Sequence, residues 1–102
     1  MTAVFVLVRL KDGITPEDYQ RWVLEKYAPV ARALPSVSDW RNHRVTGTLG
    51  FVEDPPYRYV VTLEVDDLEG LGRDMSGEEM RRLLGELHEY AEVTQLMAER
   101  FA

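Results

Sequence analysis

His43 and His88 are the only two histidines among 102 residues. Histidine is the side chain whose ordinary pKa lies nearest neutrality, so each is a candidate general acid or base. His43 lies between Arg41 and Arg44, with Asp39 four residues upstream. Asp39 is too far along a strand for a direct pair with His43, but Arg41 could bridge them. Glu64 is a carboxylate in an otherwise apolar segment and could meet Arg41 or His43 from a neighbouring strand. Each has a structural alternative. His43 could be a surface or interface residue, and His88 could do no more than complement the negative end of a helix. Glu64 could form an ordinary cross-strand ion pair. The sequence leaves these readings open.

A second group could hold a flat substrate. Tyr19, Trp22, Tyr27, Trp40, Tyr57, Tyr59 and Tyr90 offer ring faces and edges for stacking. Core packing is the alternative, most directly for Trp22 and Tyr59. Other chemistries lack their residues. There is no cysteine, hence no thiolate nucleophile, thiolate metal site or disulfide. Two histidines without close spacing make no recognisable metal set. No glycine-rich phosphate loop and no Gly-x-Ser-x-Gly is present. The expectation is acid/base catalysis. It would be performed by His43, or by His88 if the strand turns the other way, with Asp39 or Glu64 orienting. Trp22, Tyr27, Trp40, Tyr59 and Arg41 would bind substrate in a gap between helices and sheet.

The elements that must position these residues read as β-α-β-β-α-β. Ala3 to Leu10 is almost continuously apolar, as expected of a central strand. Thr15 and Pro16 open a helix as N-cap and first residue. Its stripe is Tyr19, Trp22, Val23, Tyr27 and Val30, and Pro29 predicts a kink or an end near Tyr27. Leu34-Pro35-Ser36 is a turn. Val37 to Val45 is a second strand, with Asp39, Arg41 and His43 on one face and Trp40, Asn42 and Arg44 on the other. A loop over 46–56 leads to a third strand, Tyr57 to Asp66. Its odd-numbered residues from Tyr57 to Val65 share one face, and Arg58, Val60, Thr62 and Glu64 share the other. Asp67 to Asp74 is a helical turn or loop. Ser76 and Glu79 read as a capping box for a helix through Met80, Leu83, Leu84 and Leu87. Glu92 to Phe101 is the last strand, although Leu96 onward suits a helix equally well.

That order gives one α+β domain over residues 1–102 with a ferredoxin-like layout. A four-stranded antiparallel sheet is expected to carry helices on one face. Phe5, Leu7, Val60 and Leu96 on the other are too apolar to stay wet, so a homodimer is expected. The net charge of -6 disfavours nucleic acid. No apolar run approaches the roughly 20 residues that span a bilayer. The N-terminal stretch reads as a strand rather than a signal peptide, and the lack of cysteine suits the cytoplasm.

These residues also resemble a family. Trp22-Val23, then Tyr27-Ala28-Pro29, Leu34-Pro35-Ser36-Val37 and Arg44-Val45-Thr46-Gly47 are similar to the REDY-like/HapK group of dimeric α+β barrel proteins. So is Asp74-Met75-Ser76 leading to Met80-Arg81-Arg82-Leu83. The resemblance covers most of the chain. It implies a role in bacterial prodigiosin-type or bisindole pathways, with an indole- or pyrrole-derived intermediate as substrate. Cyclisation, rearrangement or water addition without a dissociable cofactor would be the reaction. It transfers no catalytic motif residue by residue, and Trp40 stands where the group usually has a Phe-like residue. The wider superfamily includes cofactor-free monooxygenases, haem-degrading proteins and muconolactone-type isomerases. An oxygenase and a non-enzymatic binder of aromatic metabolites are therefore the alternatives.

Overall fold

The computed structural model of the protein describes residues 2–102. The strands are β1 (Thr2–Leu10), β2 (Val37–Arg44), β3 (Tyr59–Val65) and β4 (Ala91–Ala98). They form one antiparallel sheet in the order β2-β3-β1-β4, which is the ferredoxin-like arrangement. The helices are α1 (Pro16–Trp22), α2 (Ala28–Ala31), α3 (Leu68–Met75) and α4 (Glu78–Tyr90). A π-helical turn, Val23–Tyr27, joins α1 to α2. The molecule is only 17 Å through its thinnest dimension. That is one sheet and one helix layer, so the second sheet face is bare.

Alternation along the strands decides what the helices cover. Val4, Val8, Val61 and Val65 point inward and are buried with Leu83, Leu87 and Met80 of α4. Phe5, Leu7, Val60 and Leu96 point the other way, and Phe5 and Leu96 are 37% and 48% exposed. The expected membership of the bare face is therefore met. β1 is central in the sheet but buried on one side only within the protomer.

Ahead of Pro29 the regular α-helix gives way to a π-turn that ends at Tyr27, and the helical path goes on to Ala31 instead of ending. A proline ring clashes with the carbonyl four residues back, here that of Glu25. The preceding backbone is wound as a π-turn, in which Ala28 N–H donates to the Val23 carbonyl. The chain thus passes Pro29 and continues to Ala31. Thr15 caps α1 as expected, its Oγ1 accepting from Asp18 N–H at 3.1 Å. The capping-box reading of Ser76 is corrected. Residues 68–75 form a full helix, and Ser76 closes it by donating from Oγ to the Arg73 carbonyl at 2.9 Å. Gly77 is the N-cap of α4. β3 starts two residues later than expected, and β4 stops at Ala98 rather than Phe101.

Candidate functional site

A cavity of about 80 Å³ lies between the helix layer and the sheet. Its walls are mainly aliphatic, with Tyr19, Trp22, Tyr27 and Trp40 among them and Asn42 on its floor. The π-turn explains part of this wall. Five residues separate Trp22 from Tyr27, which an α-helix would turn to different sides. A π-turn brings i and i+5 together. The two ring centroids are 5.3 Å apart. Tyr27 then meets Trp40 at 6.1 Å, and Tyr19 meets Tyr59 at 4.8 Å. An aromatic row thereby runs across the cavity from β2 to β3. Arg32 lies over the Trp40 ring, 5.1 Å from its centroid. Trp22 Nε1 donates to Glu86 Oε2 at 3.4 Å, and Tyr59 Oη donates to Gln20 Oε1 at 2.8 Å.

A β-bulge determines which β2 residues enter this cavity. Val37 pairs with Val65 and Asp39 with Glu64, leaving Ser38 as the extra residue. Without it, Val37 and Trp40 would face opposite sides. With it, both are buried under the helices. Asn42, two residues after Trp40, therefore also points inward.

Asn42 is the unusual member of the wall. Its Oδ1 is buried and accepts no hydrogen bond among the described residues. A buried polar atom left unpaired typically costs about 1–3 kcal/mol, so such atoms are rare unless something else satisfies them. Tyr19 stands beside it. Burial pushes the Tyr19 phenol well above its ordinary pKa, while its hydrogen-bonding neighbour Asn42 pulls the other way. Burial also raises Tyr27 and Tyr59. All three phenols are neutral at physiological pH, so they act as donors and not as bases.

The acid/base set expected from sequence is not assembled in this cavity. Asp39, Arg41 and His43 lie on the bare face, because their β3 partners are Glu64, Thr62 and Val60. His43 is exposed, with Nδ1 3.3 Å from the Val60 carbonyl. Arg41 Nε pairs with Asp39 Oδ2 at 3.0 Å and does not bridge Asp39 to His43. Glu64 is exposed opposite Asp39, so the cross-strand neighbour is a like charge. His88 is exposed at the end of α4, its Nδ1 2.7 Å from the Leu84 carbonyl. Lys11 Nζ donates to the His88 carbonyl, placing a cation at that helix end. Of the aromatics expected to bind substrate, Trp22, Tyr27 and Trp40 line the cavity. Tyr59 lines a shallower cleft beside it. Asn42 was not singled out from sequence. Its signal was available only as parity with Trp40, once the inward face of β2 is known.

No helix is long and apolar enough to cross a membrane among the described residues. A search of curated proteins by sequence returns no match. Solved structures share the architecture, three of them as follows. HapK from Hahella chejuensis is 25% identical with a TM-score of 0.81, covering 99% of this chain and 93% of that one. SnoaB, a cofactor-independent oxygenase from Streptomyces nogalater, is 12% identical with a TM-score of 0.76, covering 99% and 93%. A dimeric ferredoxin-like protein of unknown function from Thermobifida fusca is 16% identical with a TM-score of 0.72, covering 95% and 88%. The latter two likenesses speak to the fold. A family profile for the REDY-like protein HapK matches residues 2–101, and with that match the chain belongs to the REDY-like HapK family.

Proposed function

We propose that this protein is a cofactor-independent enzyme of secondary metabolism whose substrate is a flat indole- or pyrrole-derived intermediate. The substrate would be held in the cavity between helices and sheet. The observation that carries this reading is the unpaired Asn42 Oδ1 on the floor of an aromatic-walled cavity. A ring N–H donates to such an acceptor, and ring faces stack on Trp22, Tyr27 and Trp40. The walls hold a ring in one orientation, so cyclisation, rearrangement or addition to it is assisted mainly by positioning. Tyr19 supplies a neutral donor for negative charge that develops on the substrate. His43, His88, Asp39 and Glu64 receive no part in this cavity's chemistry. In the single protomer, the two histidines reach a substrate only at the outer surface. We further propose that the bare sheet face is covered by a second copy, making the protein a homodimer.

Mass spectrometry tests the reading directly. A panel of indole- and pyrrole-derived intermediates is incubated with and without the protein in ¹⁸O-labelled water. Protein-dependent cyclisation, isomerisation or label incorporation is expected. Unchanged masses across a panel that demonstrably binds would replace the enzyme with a metabolite-binding module. A second reading rests on the cavity's own chemistry. Its ionisable wall residues are phenols that stay protonated, which suits substrate-assisted oxygen chemistry as well as rearrangement. Oxygen consumption with an electron-rich aromatic distinguishes the two.

A further inference from the structure

The cavity opens toward a second, shallower cleft. Tyr19, Val23 and Asn42 line both, so the two are separated only by shared side chains. The cleft adds Gln20, Leu24, Tyr59 and Arg44. Arg44 is two residues beyond Asn42 on the same face of β2, about 7 Å along the strand. It is exposed and has no ion-pair partner among the described residues. Arg58 lies close enough to lower the Tyr59 pKa together with Arg44. Glu17 of α1 is the acid that faces this end, and its effect on Tyr59 is smaller than that of either arginine.

We infer that the substrate is an aromatic acid. Its ring N–H meets Asn42 Oδ1 inside the cavity, and its carboxylate meets Arg44 at the mouth. This rests on the aromatic-cavity reading above and narrows it. Two steps along one strand face put the Asn42 and Arg44 backbones about 7 Å apart, and the long arginine side chain can reach a carboxylate on a ring whose N–H meets Asn42. A guanidinium favours a carboxylate because it donates two parallel hydrogen bonds as well as charge. The neutral ring would enter without using the mouth.

Calorimetric titration with three probes tests this: indole-3-acetate, indole and tryptamine. The acid should bind about tenfold more tightly than indole, as a charge-assisted contact allows. Tryptamine, a cation, should bind worst. Arg44→Gln should remove the preference for the acid and leave indole affinity unchanged. Arg41→Gln, on the same strand but the opposite face, should leave the preference intact. Added salt should weaken the acid and not indole. Binding of indole without preference for the acid, or a preference that survives Arg44→Gln, would overturn the Arg44 assignment and leave the aromatic cavity standing. Failure of all three probes to bind would overturn both.

Discussion

On the helix side of β2 stand Trp40, Asn42 and Arg44. On the bare side, one residue out of step, stand Asp39, Arg41 and His43. The helix side is a wall of aromatic rings and valines with one unpaired amide oxygen. The bare side mixes exposed charge with the half-open apolar group Phe5, Leu7, Val60 and Leu96. The residue types that suggest acid/base chemistry thus lie on the side without a cavity. The side with a cavity holds the groups to which the proposed function assigns binding and orientation. Titratable side chains on a strand are cheap to place where water solvates them. The interior selects neutral donors and acceptors instead.

The contrast is broken most severely from the helix side. Leu83 is among the most deeply buried side chains, 1% exposed against the sheet. Leu83→Ala should cost about 2–5 kcal/mol in urea unfolding. Leu96→Ala on the bare face should change protomer stability by about 0.5 kcal/mol or less, measured at dilution. Equal effects would mean that both faces are core within one protomer. Phe5→Lys addresses the bare face at its centre, where a two-fold contact would bury the new charge twice. Sedimentation should then show a monomer with unchanged far-ultraviolet dichroism. A dimer that persists would place the interface elsewhere.

Asn42→Leu should separate binding from stability. It removes the unpaired amide oxygen and fills the same volume with carbon. Stability should rise by about 1 kcal/mol, since an unsatisfied buried group is replaced by an apolar one. Affinity for a ring N–H donor should fall about tenfold with the lost hydrogen bond. A loss of stability instead would show that the amide is paired in the folded protein.

Much of this could be read from sequence because the strands alternate cleanly. Thr15-Pro16 marked a real helix start, and the odd-numbered residues from Tyr59 to Val65 share a face as alternation requires. What sequence could not show was which β2 face is inward. The bulge at Ser38 inserts one residue and reverses the parity counted from Val37. No residue type announces a bulge there. The π-turn is similar. Pro29 signals a backbone problem, but extension through Ala31 is a tertiary solution, supported by burial of Trp22, Val23, Ala28 and Ala31. Ser76 misled because a serine followed by Glu79 fits a capping box equally well when it ends the preceding helix. The candidate site was half visible. Its rings were chosen from their type, whereas Asn42 has no distinction until the fold buries it.

The histidine pair offers a smaller test of the same two-sided picture. His43→Gln and His88→Gln alter exposed side chains whose ring contacts are single backbone carbonyls. Each should move stability by about 0.5 kcal/mol or less. Turnover of the substrate should be unchanged in the double variant. A large loss of turnover would return the chemistry to the bare face, and His43 would then act beside a second copy.

The smallest expected effect concerns acid, and it again opposes a half-buried polar contact to exposed charge. Asp74 Oδ2 accepts from Ser36 Oγ at 2.6 Å and from Ser36 N–H at 3.1 Å. Those bonds hold its pKa below the ordinary value of 3.8, with Arg73 helping and partial desolvation opposing. A carboxylate with a depressed folded pKa stabilises the fold fully above its unfolded pKa. That contribution disappears as pH falls through the lower folded value. The tie between α3 and the start of β2 should therefore hold at pH 5 and loosen below pH 3.8. Ser36→Ala removes the side-chain donor and keeps the backbone one, so it should move the acid unfolding midpoint upward. Asp39→Asn, at an exposed ion pair on the bare face, should move it much less, because solvent screens that pair. Acid titrations followed by tryptophan fluorescence compare the two directly. An equal shift for both would mean that Asp74 behaves as surface charge rather than as a tie between α3 and the start of β2.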